Sequence, residues 1–364
     1  TAEPDAGWRV DFSPRGIDLD SFPYHVWRKL SRNTLVDDNK EMFHSGNHQG
    51  EPGLREAIRS YLHSARGVNC SPEQIIVGAG SEYLLMLLSQ ILEGKHVIAM
   101  ENPTYKQAYR VFRSLDYEVC PVEMDANGME PELLTRSGAN VAYVMPSHQF
   151  PTGVVMPVGR RQELLKWAVE APDRYIIEDD YDSEFRYRGK PIPALQGMDR
   201  SGRVIYLGTF SKCIAPAIRV SYLVLPTHLL LRYRSQTSFY ASTVSRIDQN
   251  ILYQFLAGGY FERHLNRMRA VYKTKHDLLL EQIEPLRERF EIRGEHAGIH
   301  ILLTSRQGES EEQLIQKAEE AGVKVYGLSS YFIHPQHNHR PATVVLGYAS
   351  LSEEQIVEGI RLLM

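Results

Sequence analysis

The chain has 364 residues, 43% of them hydrophobic and 24% charged, with a formal net charge of -4. This length and composition are typical of a globular protein that divides into one large domain and a smaller one. The charge balance excludes a basic stripe that would hold nucleic acid, and no apolar stretch approaches the roughly 20 residues needed to cross a bilayer, so we expect no membrane partner.

Short apolar runs alternate with stretches of helical period between about residues 74 and 226, which indicates a parallel sheet covered by helices on both faces. Near-continuous apolar runs predict buried strands at 75–78, 96–100, 141–145, 175–179, 204–208 and 221–225. Helices are predicted at 81–92 and 160–170, followed by a long helical stretch from about 244 to 289. The remaining pattern predicts strands near 291–293, 299–304 and 343–346 and helices at 311–321 and 352–363.

The predicted fold class is α/β, with a mostly parallel central sheet in a large domain and a smaller α+β C-terminal domain. We expect three parts. They are an N-terminal segment at 1–45 that packs with the small domain, a large domain at 46–240, and a long connecting helix with the small C-terminal domain at 241–364.

Lys212 ends the motif GTFSK at 208–212, directly after a predicted strand, and Arg219 lies a short distance beyond it. A lysine at the carboxyl end of a strand reaches the crevice where open α/β sheets bind ligands. The hydroxyls of Thr209 and Ser211, together with Arg219, suit a phosphate group. A serine-lysine pair alone is more often an exposed lysine near a turn, but the combination favours a binding site.

An acidic run, EDDYDSEF at 178–185, follows another predicted strand. Such clusters often bind Mg²⁺ or lie on a solvated loop, so a metal-dependent α/β enzyme using Glu178, Asp179, Asp180 and Asp182 is one alternative. A pyridinium cofactor instead needs one buried carboxylate beside its ring nitrogen and a phenol beside its ring oxygen. With Lys212 close by, that interpretation explains both motifs.

Two weaker features support the same site. Gly80 and Ser81 lie in a glycine-rich turn between a strand and a helix, where backbone amides would face a phosphate. Tyr105 follows the next strand and would stack on a planar cofactor, although a tyrosine of the core is an equal alternative.

These motifs, with GEPGLR at 50–55, PTG at 151–153 and LGYA at 346–349, resemble the fold-type I enzymes that use pyridoxal 5'-phosphate (PLP), over nearly the whole chain. The resemblance implies that Lys212 holds PLP as a Schiff base, that Asp179 pairs with the pyridine nitrogen and that Tyr181 contacts the ring oxygen. Asp180 is an alternative to Asp179. It also implies a stacking role for Tyr105 and a phosphate site formed by Gly80, Ser81, Thr209, Ser211 and Arg219.

A more specific resemblance, to the MocR-type bacterial transcription regulators of the GntR superfamily, lies in three segments: EDDYDSEFRYRGKPIPALQ, HQFPTG and GTFSKCIAPAIR. In these proteins a winged helix-turn-helix is joined to an aminotransferase-like domain that dimerises, binds PLP and senses an effector. The resemblance implies that this chain is the sensor domain of a homodimer, with its DNA contacts in a winged helix-turn-helix that precedes Thr1. A small amine-bearing effector would displace Lys212 from PLP. A free-standing class I/II aminotransferase is the alternative, and whether transamination occurs stays open.

Departures from the aminotransferase pattern favour the sensor. Phe150 stands where an asparagine commonly precedes PTG, which leaves Gln149 or His148 to contact the ring oxygen. Val345 stands where an arginine that binds a substrate carboxylate is expected, and without it an ordinary amino acid would be poorly held. His48 stands where a tyrosine crosses the dimer interface.

Further candidates for contacting an effector are Arg110, His334, His339 and Arg340. The histidines of 331–340 are a weak indication of metal, and no metal site is predicted. The cysteines are few and scattered, which argues against disulfides and fits a cytoplasmic protein.

Overall fold

The computed structural model describes residues 7–35, 40–187, 192–334 and 341–364. Its strands are β1 (Val10–Asp11), β2 (Ile75–Gly78), β3 (Val97–Asn102), β4 (Glu118–Asp125), β5 (Gly128–Met129), β6 (Val141–Val144), β7 (Tyr175–Asp180), β8 (Val204–Thr209), β9 (Ser221–Val224), β10 (Phe290–Arg293), β11 (His300–Ser305), β12 (Val323–Lys324), β13 (Tyr326–Gly327) and β14 (Thr343–Gly347). Its helices are α1 (Tyr24–Thr34), α2 (Pro52–Arg66), α3 (Ser81–Leu92), α4 (Lys106–Ser114), α5 (Pro131–Arg136), α6 (Val158–Val169), α7 (Thr227–Gln236), α8 (Arg246–Ala257), α9 (Tyr260–Ile283), α10 (Glu311–Glu320) and α11 (Glu353–Leu363).

The central sheet has the strand order β2-β9-β8-β7-β6-β3-β4-β5. The pairs from β8 through β7 and β6 to β3 are parallel, as the apolar runs predict. The strand β4, which those runs do not indicate, pairs in parallel with β3. The strand predicted at 221–225 is present as β9, but it runs antiparallel to β2 and β8. Residues 210–220 join β8 to β9 without a crossover helix, and a parallel return would need one.

The sheet is buried on both faces. Every residue of β6, β7 and β9 is buried, so these strands read as unbroken apolar runs apart from the acids that end β7. Large side chains such as Ile177 and Leu207 point to one side and others such as Ile176 to the opposite side. The sheet is therefore enclosed by packed side chains on both faces, and the candidate functional side chains follow the ends of its strands.

The prediction of one continuous helical element at 244–289 is wrong. It is divided into α8 and α9 at Gly258 and Gly259, and Gly259 has a φ of 68°, which residues other than glycine rarely adopt. A 3₁₀ turn at Glu284–Glu288 ends the helical stretch.

The C-terminal part contains an antiparallel sheet of order β10-β11-β14-β13. The N-terminal β1 pairs in parallel with β12, and Phe12 packs in the apolar cluster of this region. The limits of the three parts at 45/46 and 240/241 stay a prediction. Within the described ranges, no helix combines the length and apolarity that crossing a membrane requires.

Candidate ligand-binding site

A cavity of about 330 Å³ opens at the carboxyl ends of β7 and β8. Its walls contain most of the residues that the sequence indicated, namely Ser81, Tyr105, Asp179, Tyr181, Thr209, Ser211, Lys212 and Arg219. Gly80 lies next to this wall, at the N-cap of α3. Motifs that are far apart in the sequence therefore meet in one crevice, as expected for an open α/β sheet.

Lys212 lies on the loop after β8, and its Nζ donates a hydrogen bond to the backbone oxygen of Arg15 at 2.9 Å. Loss of solvation lowers the pKa of Lys212 to about 8; the carboxylate of Asp182 opposes this change and the positive charge of Arg15 adds to it. A lysine with this pKa is partly neutral near physiological pH. It is therefore a competent nucleophile for a carbonyl compound.

Asp179 and Asp180 point to opposite faces of β7 because successive side chains of a strand alternate. Asp179 lines the cavity and accepts a hydrogen bond from the Tyr143 hydroxyl. Burial, opposed by that hydrogen bond and reinforced by neighbouring acids, raises the pKa of Asp179 to about 7. The ionised form of Asp179 is therefore disfavoured in this environment, and a cation beside the carboxylate would stabilise it.

Asp180 is held on the other face of the sheet. It accepts hydrogen bonds from Arg66 Nε at 2.8 Å and from the Tyr206 hydroxyl at 2.6 Å. Burial raises the pKa of Asp180, but Arg66 and Tyr206 outweigh it, so the pKa lies below its ordinary value. This residue has its own partners, which makes Asp179 the carboxylate available to a ligand.

The acidic run does not form a common cluster. Glu178 accepts hydrogen bonds from the backbone amides of Leu195 and Gln196, each at 2.8 Å, away from the cavity. Within residues 7–35, 40–187, 192–334 and 341–364, no group of three or more His, Cys, Asp or Glu side chains is placed to hold a metal ion.

Tyr181 lies at the cavity wall, and its hydroxyl is 3.0 Å from Nδ1 of His148. The same nitrogen is 2.8 Å from a carboxylate oxygen of Asp182, and both His148 and Asp182 are buried. His148 therefore contacts the hydroxyl of Tyr181 and limits the positions that the tyrosine side chain adopts. The sequence indicated His148 only as a substitute for the missing asparagine.

One end of the cavity suits an anionic group. The N-terminus of α3, the hydroxyls of Ser81, Thr209 and Ser211, and the guanidinium of Arg219 are the donors there. Arg219 pairs with Glu82 at 2.9 Å. Gly80 has a φ of 96°, and a Cβ on it would lie 2.3 Å from Nη2 of Arg219, so only glycine allows this approach.

These donors fit PLP as a chemical set. A phosphate would face hydroxyls, a helix N-terminus and an arginine, and a pyridinium nitrogen would face a carboxylate that lacks a cation. An amine of lowered pKa lies in the same cavity. Tyr105 lines the cavity and packs edge-on against Phe150, with 6.1 Å between ring centroids.

Other predicted residues lie elsewhere. Gln149 is buried, and its side chain donates to the backbone oxygen of Pro103 and accepts from Thr152, so it supports a loop rather than the cavity. Phe150 lines the cavity instead. Arg110 is exposed on α4 outside this cavity.

Two other effector candidates, His48 and His334, do not line the cavity of this chain. His48 packs against Tyr233 with 6.0 Å between ring centroids, and His334 is exposed. His339 and Arg340 lie outside the described residues. Val345 is completely buried in β14, opposite Leu302 of β11.

The structure adds cavity residues that sequence reasoning missed, including Pro14, Arg15 and Gln107. Arg15 and Pro14 come from the N-terminal segment, far from any motif. No local signal could have indicated them, because their position depends on how this segment packs against β14.

The chain matches the family of class I and II aminotransferases over residues 18–362. It is 42% identical over 361 residues to the HTH-type transcriptional regulator YdeL of Bacillus subtilis, and the match covers 99% of this chain and 77% of that protein. It is 34% identical to the probable rhizopine catabolism regulatory protein MocR of Rhizobium meliloti, over 97% of this chain and 71% of that protein. The chain belongs to the MocR-type family of transcriptional regulators.

The MocR-type family explains the fold through its aminotransferase-like domain. The structure of the kynurenine aminotransferase of Pyrococcus horikoshii in complex with PMP matches with a TM-score of 0.86 at 26% identity, and the match covers 98% of this chain and 90% of that chain. The predicted α/β fold of the fold-type I aminotransferases is therefore confirmed. Class I and II aminotransferases and their fold relatives are PLP-dependent.

Proposed function

We propose that this chain is the PLP-binding, ligand-sensing domain of a bacterial transcription regulator, and that a small amine is its effector. The observation that carries the proposal is a single cavity that holds Lys212, the cation-deficient carboxylate of Asp179 and the phosphate-type donors around Arg219. The fold alone does not distinguish a sensor from a metabolic enzyme. Membership of a regulator family favours the sensing of a ligand over the catalysis of a metabolic reaction.

Each side chain has a defined task in this proposal. When bound, PLP supplies an aldehyde that exchanges reversibly between primary amines. Lys212 attaches the cofactor through its amine, whose lowered pKa favours the neutral form. Asp179 keeps the ring nitrogen protonated, and that positive charge in turn stabilises the buried carboxylate.

The remaining residues orient the cofactor. Tyr181, held by His148, donates to the ring oxygen, and Tyr105 packs on the ring face. Thr209, Ser211 and the N-terminus of α3 bind the phosphate together with Arg219, which the close approach of Gly80 allows. Rigid donors of this kind cost little conformational entropy on binding.

A route for the signal begins at Lys212. An effector amine that takes the place of Lys212 leaves its Nζ free to donate to the backbone oxygen of Arg15, the contact present here at 2.9 Å. Arg15 follows β1, which pairs with β12 of the C-terminal part. Effector binding would thus bias the arrangement of the N-terminal segment and the small C-terminal sheet.

We further propose that the protein acts in the cytoplasm as a homodimer, and that a winged helix-turn-helix outside residues 1–364 makes the DNA contacts. YdeL carries the helix-turn-helix description in its name. This chain covers 77% of YdeL and 71% of MocR. A dimer would repeat the cavity about a two-fold axis.

The test separates sensing from transamination. The PLP-loaded protein is mixed with a panel of primary amines and amino acids, the absorbance of the bound cofactor is recorded, and the amine is then removed by dialysis. A sensor returns the amine unchanged and recovers the original spectrum. An aminotransferase, the function that the solved structures suggest, converts an amino acid to its keto acid and leaves pyridoxamine phosphate. Release of keto acid at catalytic rates would refute the sensing proposal.

A further inference from the structure

Among the described residues of the cavity wall, one cation is not required by the cofactor. Its charged wall residues are Arg15, Glu82, Asp179, Lys212 and Arg219. Glu82 pairs with Arg219, and Asp179 accepts from Tyr143. Lys212 attaches the cofactor. Arg15 is exposed and lines the cavity, and its side chain is left to meet a second ligand.

The position of Arg15 is fixed by its backbone. The amide of Gly347 at the end of β14 donates to the backbone oxygen of Phe12 at 2.9 Å. A Cβ on Gly347 would lie 2.2 Å from the backbone oxygen of Ser13, so the segment lies directly on the end of β14. Pro14 is buried and precedes Arg15. The arginine therefore projects from an anchored segment rather than from a free tail.

Arg15 also lies close to the amine that the effector would replace. Its backbone oxygen accepts from Lys212 Nζ at 2.9 Å. An effector amine that takes the position of Lys212 Nζ would therefore lie beside the backbone of Arg15, near its side chain. These three residues of the neighbouring strand β14 provide no charge that would bind a carboxylate, since Val344, Val345 and Leu346 are apolar and buried.

We propose that Arg15 binds a carboxylate of the effector, so that the protein recognises amino acids in preference to simple amines. This inference rests on the proposed function. The planar guanidinium matches a carboxylate with two parallel hydrogen bonds, which adds both affinity and orientation. Gln107, also in the cavity wall, is a further donor close to the same space.

The experiment compares each amino acid with the amine that lacks its carboxylate. The pairs are glycine with methylamine, β-alanine with ethylamine, and 5-aminopentanoate with butylamine, which sample different distances between amine and carboxylate. Dissociation constants are measured from the absorbance of the bound cofactor in the parent protein, in Arg15→Gln and in Arg200→Gln. Arg200 is a matched control because it is an exposed arginine outside the cavity.

In the parent and in Arg200→Gln, at least one acid should bind about 10- to 100-fold more tightly than its paired amine, as expected for a charge-assisted pair. In Arg15→Gln that ratio should fall to about one, while the affinity for the simple amines stays at the parental value. Unchanged amine affinity shows that the variant is folded and loaded with cofactor.

Two results would overturn the inference: no preference for any acid in the parent, or a preference that survives in Arg15→Gln. A failure of the proposed function looks different. The parent would then either show no absorbance from a lysine-bound cofactor before any amine is added, or release keto acid from the amino acids at catalytic rates.

Discussion

Replacing Asp179 by asparagine should stabilise the cofactor-free protein at about pH 8 but not at about pH 4. Burial and the nearby charges of Asp180, Asp182 and Glu82 raise the pKa of this carboxyl group from 3.8 to about 7, against the hydrogen bond from Tyr143. The folded chain therefore binds this proton more tightly than the unfolded chain does. Stability is lost as the pH rises through the interval between the two pKa values.

The size of the effect follows from that interval. One pKa unit corresponds to about 1.4 kcal/mol, so a rise from 3.8 to about 7 amounts to about 4 kcal/mol once Asp179 is fully ionised. An asparagine is neutral at every pH and still accepts the hydrogen bond from Tyr143. The free energy of unfolding of Asp179→Asn should exceed that of the parent by up to about 4 kcal/mol at about pH 8, and should equal it at about pH 4.

The assay is urea denaturation of the cofactor-free proteins at both pH values. Burial also raises the pKa of Glu101, Glu178 and Glu184 to about 7, so the parental profile sums several groups and only the difference between variant and parent isolates Asp179. An equal stabilisation at both pH values, or none at about pH 8, would refute the reasoning.

Asp180→Asn is the matched control, and its expected sign is opposite. Asp180 is paired with Arg66 at 2.8 Å, and the removal of one partner from a buried ion pair costs about 3 to 5 kcal/mol. The pKa of Asp180 lies below its ordinary value, so its contribution is present at neutral pH and is lost as the pH falls through the folded pKa. A control that is as stable as the parent at about pH 8 would question the ion pair.

Three further predictions concern the cavity and its surroundings. Gly80→Ala should weaken PLP binding by about tenfold or more in an equilibrium titration, because a φ of 96° strains any residue with a Cβ and because that Cβ would displace the guanidinium of Arg219; parental affinity would contradict this reasoning. The rate of PLP attachment to Lys212, followed by absorbance, should rise with pH through a midpoint of about 8, the value to which burial lowers its pKa, whereas a midpoint near the ordinary 10.5 would contradict it. Val345→Arg should lower the free energy of unfolding by about 3 kcal/mol or more in urea, because it places a charge in a fully buried position; a tolerated arginine would show that this strand can open to the cavity.

The fold could be predicted from the sequence because its central strands are buried on both faces. Such strands must be apolar along their whole length, so β6 and β8 stand out without an alignment. Elements with an exposed face gave a weaker signal. The partly exposed β4 and the amphipathic α2 were not predicted, and the glycine pair at 258–259 that separates α8 from α9 was overlooked.

The candidate site could be predicted only where its residues follow strand ends. The choice between Asp179 and Asp180 depends on which face of β7 meets the cavity, and both the cavity lining and the ion pair of Asp180 with Arg66 from α2 favour Asp179. Arg15 enters the cavity through contacts with β14 that are distant in sequence. Only tertiary structure reveals residues of this kind.

The central claim is that PLP is attached to Lys212, and the most direct measurement is to locate the attachment. The protein is loaded with PLP, reduced with borohydride, digested and analysed by peptide mass spectrometry. The account predicts a phosphopyridoxyl group on the peptide that contains Lys212, and its loss in Lys212→Ala. A label spread over surface lysines, or one that persists unchanged in Lys212→Ala, would contradict it.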